Sequence, residues 1–162
     1  AYQTACGSAD IMNHVFDVAY FSSQNQMDML TRMQEEVLKT VIKYAPIALK
    51  EPENYEARAN LMRASSWALN GFLYDGLKQH TICHAMEHEL SAYYDITHGH
   101  GLAILIPRWL TYILDKKLLP QSVVLVRTAL ESVQNFRLWT EQKPQLKHWS
   151  ISILIHSVWK DI

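Results

Sequence analysis

The sequence predicts an all-α fold, a helical bundle around a single hydrophobic core. Apolar residues recur at every third or fourth position through most of residues 1–120, which is the period of a helix that buries one face. Apolar residues make up 49% of the 162 positions, and a chain of this length can bury a substantial core. Only five glycines and five prolines occur, which disfavours a turn-rich or all-β fold.

The first two helices are predicted over residues 8–21 and 26–50. The apolar residues of the first helix share one face: Ile11, Val15 and Val18. Three polar residues lie beside that face: Asp10, His14 and Asp17. In the second, apolar side chains again stand three or four positions apart. Glu51-Pro52 ends it, because a residue that precedes proline is disfavoured in the helical conformation.

A third helix is predicted over residues 55–69. Asn54 is suited to cap its start, because an asparagine side chain can accept hydrogen bonds from the free N–H groups of a first helical turn. Asn70-Gly71 is suited to end it, since glycine readily adopts the left-handed conformation that often follows a helix.

Two further helices complete the predicted bundle. One covers residues 76–94 and is followed by a loop over residues 95–99. The other starts near His98, with Thr97 as its cap, and continues to about Lys117. Short loops of this kind join helices that lie side by side.

The pattern changes after the bundle. Residues 1–120 are predicted to form an all-α domain, and residues 121–162 a divergent C-terminal tail. The tail has short β-branched runs and tryptophans that share no clear face. One hypothesis for this change is a shift of reading frame near Gln121, which the coding DNA would test.

Charge and cysteine content narrow the function classes. Fifteen basic and sixteen acidic residues give a formal charge of −1, which argues against nucleic-acid binding and against a polybasic membrane surface. No run of about 18 apolar residues predicts a transmembrane helix. Two cysteines, Cys6 and Cys83, cannot build a disulfide framework, so we expect a reducing, cytoplasmic location.

The histidines are the residues of this sequence that indicate a functional site. Five of the eight histidines lie between His80 and His100. His80, His84 and His88 follow an i, i+4, i+8 spacing, which places them on one stripe of the predicted fourth helix. Buried imidazoles need partners, and a metal ion is one way to satisfy several at once.

A second group of polar residues, Asp10 and His14, supplies a carboxylate. Asp10 and His14 are four residues apart, so both can reach one cation from the same helix face, although such a pair is also common on solvated helices. His98, at a helix start after a loop, can swing over the preceding helix. These three, with one histidine of the stripe that the spacing does not identify, form a plausible metal site. Three imidazoles and one carboxylate suit Fe(II) or Zn(II) better than Ca or Mg.

The segment from His84 to Ile104 reads HAMEHELSAYYDITHGHGLAI and resembles the signature of the iron-containing (group III) alcohol dehydrogenases, in particular the NAD(P)H-dependent butanol dehydrogenase branch. In that signature a histidine, three residues, a histidine, nine residues and His-Gly follow one another, here at His84, His88 and His98. The Asp-x-x-x-His motif of the family is matched by Asp10 and His14. The resemblance covers roughly residues 3–120.

The resemblance implies a ligand set and an activity. Asp10, His14, His84 and His98 would bind Fe(II), or in some members Zn(II). His88 would line the site beside the nicotinamide and the substrate, as a proton relay and a cofactor contact. The implied reaction interconverts small alcohols and aldehydes by hydride transfer with NAD(P). The implied fold is the all-α C-terminal half of a dehydroquinate-synthase-like protein.

One departure from the family concerns the nucleotide. Members of the family carry an N-terminal α/β domain with a glycine-rich turn that binds the dinucleotide phosphates. This sequence has no such glycine cluster. We therefore expect NAD(P) to bind through that missing domain, in a full-length enzyme that is a homodimer or larger, and this chain alone to be inactive. Two alternatives remain open: a truncated or frame-shifted remnant that binds metal without catalysis, and a fragment of a glycerol-type polyol dehydrogenase.

Overall fold

A computed structural model describes residues 1–20, 28–77 and 81–115, and every regular element within them is a helix. In chain order these are α1 (Tyr2–Asn13), a π-helix (His14–Tyr20), α2 (Asp28–Lys50), α3 (Tyr55–Leu69), a 3-10 turn (Phe72–Tyr74), α4 (Ile82–Tyr94) and α5 (His98–Asp115). The predicted all-α class is confirmed over this part of the chain. The predicted domain end at residue 120 and the tail over residues 121–162 lie outside it.

Local sequence signals placed α3 correctly at both ends. The side chain of Asn54 accepts a hydrogen bond from the backbone N–H of Ala57 at 3.0 Å, which satisfies a free donor of the first turn. Gly71 follows the helix with a φ of +91°, a left-handed conformation that a side chain would disfavour. The cap and the stop that were predicted for this helix are therefore confirmed.

The prediction for the fourth helix was wrong at its start. α4 begins at Ile82 rather than at residue 76. Gly76 has a φ of +72°, which no residue inside a right-handed helix can adopt. α4 therefore carries His84 and His88 but not His80, which lies outside the described residues.

The first helix also differs from its prediction. It starts at Tyr2, well before residue 8, and after Asn13 its winding widens into the π-helix. The loop predicted over residues 95–99 is shorter, because α5 already begins at His98. The carbonyl of Thr97 accepts the N–H groups of His100 and Gly101, at 2.8 and 3.0 Å, and so starts the helix.

α1 lies at the centre of the described bundle, against α2, α3 and α5, and α4 packs on α5. Large side chains from several elements are fully buried there: Val15, Phe16, Leu73, Leu102 and Leu110. α1 and α5 approach each other closely at Gly99. A Cβ atom placed on Gly99 would lie 2.1 Å from the carbonyl oxygen of Cys6, so only glycine allows the two backbones to approach this closely.

Within the described residues, no helix combines the length and the apolar content that crossing a bilayer requires.

We expect Gly99→Ala to destabilise the protein, because the added methyl group must push α1 away from α5. Overpacking of this kind typically costs about 1–3 kcal/mol, and occasionally more. Urea unfolding followed by circular dichroism measures the change in the free energy of unfolding.

Gly7→Ala is the matched control, because a Cβ atom at this position in α1 has no neighbour within 4 Å. It should leave stability unchanged or raise it by up to ~1 kcal/mol, the usual gain from replacing a helical glycine with alanine. Equal stabilities of the two variants would show that the helices do not meet at Gly99.

Candidate metal centre

The predicted ligands come together where α1, the π-helix, α4 and α5 meet. The Oδ1 atom of Asp10 lies 3.6 Å from Nε2 of His14, 3.7 Å from Nε2 of His84 and 3.5 Å from Nε2 of His98. Three imidazole nitrogens thus surround one carboxylate oxygen. Each of these distances exceeds that of a good N–H···O hydrogen bond. Asp10, His14 and His84 each place one potential ligand atom within 4.8 Å of the other two, and His98 joins this group through its contact with Asp10.

Two atoms of this cluster are buried without a hydrogen-bond partner among the described residues: Oδ1 of Asp10 and Nε2 of His84. Leaving a buried polar atom unpaired costs free energy, so native structures seldom do it. A divalent cation between the four side chains would satisfy both atoms at once. Three imidazoles and one carboxylate are ligand types that Fe(II) and Zn(II) accept. The residues present therefore fit such a metal.

His84 is held by a carboxylate that the sequence reasoning did not single out as functional. Oδ2 of Asp17 accepts the backbone N–H of His84 at 3.1 Å and lies 3.2 Å from Nδ1 of its ring. A carboxylate only accepts hydrogen bonds, so Asp17 favours a proton on Nδ1, which also lies 3.3 Å from Nδ2 of Asn13, and Nε2 is directed at Asp10. Asp17 is 3% exposed and follows His14 by three residues. That spacing was its only signal in the sequence.

A second carboxylate missed in the sequence lies beside His98. Glu87 is fully buried on α4, and its Oε2 atom contacts Nδ1 of the His98 ring. It follows His84 by three residues, one helical turn, so the two side chains leave the same side of α4.

Burial and charge act against each other in this cluster. Burial raises the pKa of Asp10, but the neighbouring imidazoles outweigh it, so the pKa lies below its usual range. Burial disfavours the charged form of His84, yet the carboxylates of Asp10 and Asp17 outweigh burial and raise its pKa to about 9. Burial lowers the pKa of His14. Without a metal, a proton on His84 offsets the buried negative charge, and a bound cation would take its place.

His88 lies next to the cluster on its exposed side. Its ring centroid is 5.4 Å from that of His98 and 6.4 Å from that of His84. This places His88 where it can face a molecule that enters from solvent. His100 instead points to Tyr2, whose hydroxyl lies 3.3 Å from its Nδ1 atom. His80, His148 and His156, which were assigned no chemistry, lie outside the described residues.

The chain matches the model of a known protein family. The model of the Fe-containing alcohol dehydrogenase family, C-terminal, matches residues 4–136. The matched region runs past residue 120, where the sequence pattern suggested that the helical domain ends. That boundary stays a prediction.

The chain is 59% identical over 113 residues to NADH-dependent butanol dehydrogenase B of Clostridium acetobutylicum, covering 70% of this chain and 29% of that protein. It is 39% identical over 105 residues to the NADPH-dependent aldehyde reductase YqhD of Escherichia coli, covering 65% and 27%. The chain thus spans less than a third of the length of these relatives.

A solved structure shows the same fold. NADH-dependent butanol dehydrogenase A from Thermotoga maritima superposes with a TM-score of 0.68 at 28% sequence identity. The superposition covers 93% of this chain and 38% of that one.

We expect His84→Ala and His98→Ala each to abolish stoichiometric Zn(II) binding, because each removes one of only four ligands. Isothermal titration calorimetry on the 162-residue chain measures both affinity and stoichiometry. His100→Ala is the control, since this neighbour of His98 faces away from the cluster and should leave binding unchanged. Equal losses in all three variants would contradict the assigned ligand set.

Proposed function

Because the chain belongs to the Fe-containing alcohol dehydrogenase family, we propose that it supplies the metal-binding half of an enzyme that interconverts alcohols and aldehydes with NAD(P). The observation that carries the proposal is the convergence of three imidazole Nε2 atoms on Oδ1 of Asp10. The relatives support the reaction class, since they include NADH-dependent butanol dehydrogenases and an NADPH-dependent aldehyde reductase.

Asp10, His14, His84 and His98 would hold the metal, Fe(II) or Zn(II). When bound, such a cation supplies Lewis-acid chemistry that withdraws electron density from a carbonyl oxygen. Two of the four ligand atoms, Oδ1 of Asp10 and Nε2 of His84, are buried, and the three Nε2 atoms lie 3.5–3.7 Å from that oxygen. The carboxylate of Asp10 offsets part of the positive charge at the centre of the cluster.

His88 is proposed as the catalytic residue of this half and as its contact with the nicotinamide. Its exposed ring beside His84 and His98 puts it at the open side of the cluster. An imidazole both accepts and donates a proton, so it can take the hydroxyl proton of an alcohol or return one to the product of aldehyde reduction.

The nicotinamide cofactor carries the hydride in this reaction class. We propose that an α/β domain outside this chain holds its phosphates, since the five glycines of the sequence form no glycine-rich fingerprint. A small alcohol or aldehyde would then react between the two domains. The homodimeric or larger assembly and the cytoplasmic location implied by the resemblance remain predictions.

A chimera tests the proposal. The 113 matched residues of butanol dehydrogenase B from Clostridium acetobutylicum would be replaced by those of this chain, which are 59% identical to them. We expect metal-dependent oxidation of NADH by butanal, measured by NADH absorbance, and its loss in the His98→Ala chimera. A folded chimera that binds Zn(II) but shows no turnover would instead indicate a remnant that binds metal without catalysis.

In the same chimera we expect His88→Ala to lower kcat by roughly a hundred- to ten-thousandfold, the usual contribution of a general acid or base. Because His88 is not among the four ligands, the metal content measured by atomic emission should stay at the level of the parent chimera. Glu89→Ala, which removes an exposed neighbour on α4, is the control and should keep kcat. Loss of metal in the His88 variant would show that this residue is a ligand.

A further inference from the structure

Glu87 is a carboxylate with no solvent exposure, beside the metal cluster but outside the four-ligand set. A buried carboxylate is costly unless it is paired and hydrogen-bonded. Both oxygens of Glu87 have partners: Oε2 contacts Nδ1 of His98, and Oε1 contacts the hydroxyl of Ser91. The same hydroxyl oxygen lies 2.8 Å from the carbonyl oxygen of Ile96, so its single proton is shared between two acceptors and Ser91 connects Glu87 to the loop before α5.

The backbone of α5 leaves space for this carboxylate. A Cβ atom placed on Gly101 would lie 2.5 Å from Oε1 and 2.7 Å from Cγ of Glu87. Real Cβ atoms essentially never come this close to another heavy atom, so any side chain at this position would displace Glu87. The position of Glu87 therefore depends on a glycine in the first turn of the helix that His98 begins.

The contact with Glu87 determines which nitrogen of His98 carries the proton. A carboxylate accepts and cannot donate, so the proton of the neutral ring sits on Nδ1. Nε2 is then left with its lone pair, 3.5 Å from Oδ1 of Asp10. A histidine that donates one ring N–H to a carboxylate while its other nitrogen faces a metal is a frequent arrangement at metal sites.

We propose that Glu87 is a positioning residue for His98: it fixes the Nδ1–H tautomer and the ring orientation, and Ser91 holds Glu87 in place. The inference rests on the proposed metal site and adds a residue that orients one of its ligands. Glu87, His88 and His98 also place one potential ligand atom each within 4.8 Å of one another. Nδ1 of His98 contacts Glu87 and its Nε2 faces Asp10, so neither ring nitrogen is left for a second cation, and we assign Glu87 to orientation rather than to a second metal.

Glu87→Gln tests the proposal on the 162-residue chain, because it keeps the shape of the side chain and removes its charge. We expect Zn(II) affinity to fall roughly ten- to hundredfold, the usual cost of losing such a partner, with one ion still bound per chain. Isothermal titration calorimetry provides both values. Glu89→Gln, two residues away and exposed, is the matched control and should bind like the parent.

A second readout does not need the metal. Long-range ¹H–¹⁵N correlation spectra of the metal-free chain, at a pH where the ring is neutral, identify the protonated nitrogen of His98. We expect Nδ1–H in the parent and in Glu89→Gln, and a larger share of Nε2–H in Glu87→Gln. Ser91→Ala should shift the tautomer in the same direction by less, and it replaces Glu87→Gln if that variant does not fold.

The outcomes separate this inference from the proposed function. A parent chain that binds no Zn(II) would overturn the metal site, while the tautomer measurement would still test Glu87. Unchanged affinity and an unchanged tautomer in Glu87→Gln would overturn the positioning role and leave the metal site standing. Two ions in the parent and one in the variant would show that Glu87 is a ligand of a second site.

Discussion

The cluster of histidines depends on the backbone contact between α1 and α5. Gly99 lies against the carbonyl of Cys6, where a side chain would keep the helices apart. Asp10 is one turn beyond Cys6 on α1, and His98 is the residue before Gly99 on α5. The distance between the two polar residues is therefore set by how closely the helices pack. A small loss of packing at this contact would separate the carboxylate of Asp10 from the imidazole of His98.

Three carboxylates and three imidazoles alternate through the cluster. Asp17 and Glu87 lie behind His84 and His98, and Asp10 lies in front of both. Each of these two rings thus has one nitrogen on an outer carboxylate, while its other nitrogen is directed at Asp10 without a hydrogen bond to it. Both outer carboxylates are almost completely buried, and close packing leaves buried side chains little room to leave their partners. Rigid placement of ligands is what distinguishes a prepared metal site from a flexible group of polar side chains.

The sequence predicted those features that depend on neighbours along the chain. The ends of α3 followed from Asn54 and Gly71, whose roles depend only on adjacent backbone. The start of α4 did not, because apolar spacing continues through a segment where Gly76 adopts a positive φ. Spacing also could not choose among the histidines of the stripe; the family signature pointed to His84. Asp17 and Glu87 act on rings that other turns or other helices bring to them, and no pattern within one helix reveals such a contact.

Asp17 and His84 are 67 residues apart in the sequence, yet they meet in the cluster. A cation held by α1, α4 and α5 would therefore close a long loop of the chain and act as a cross-link. Because these distant ligands come together only in the folded state, binding of the cation adds stability that grows with the free metal concentration. The lifetime of the protein in a cell would then follow its metal supply, so that molecules lacking the ion are unfolded and degraded first.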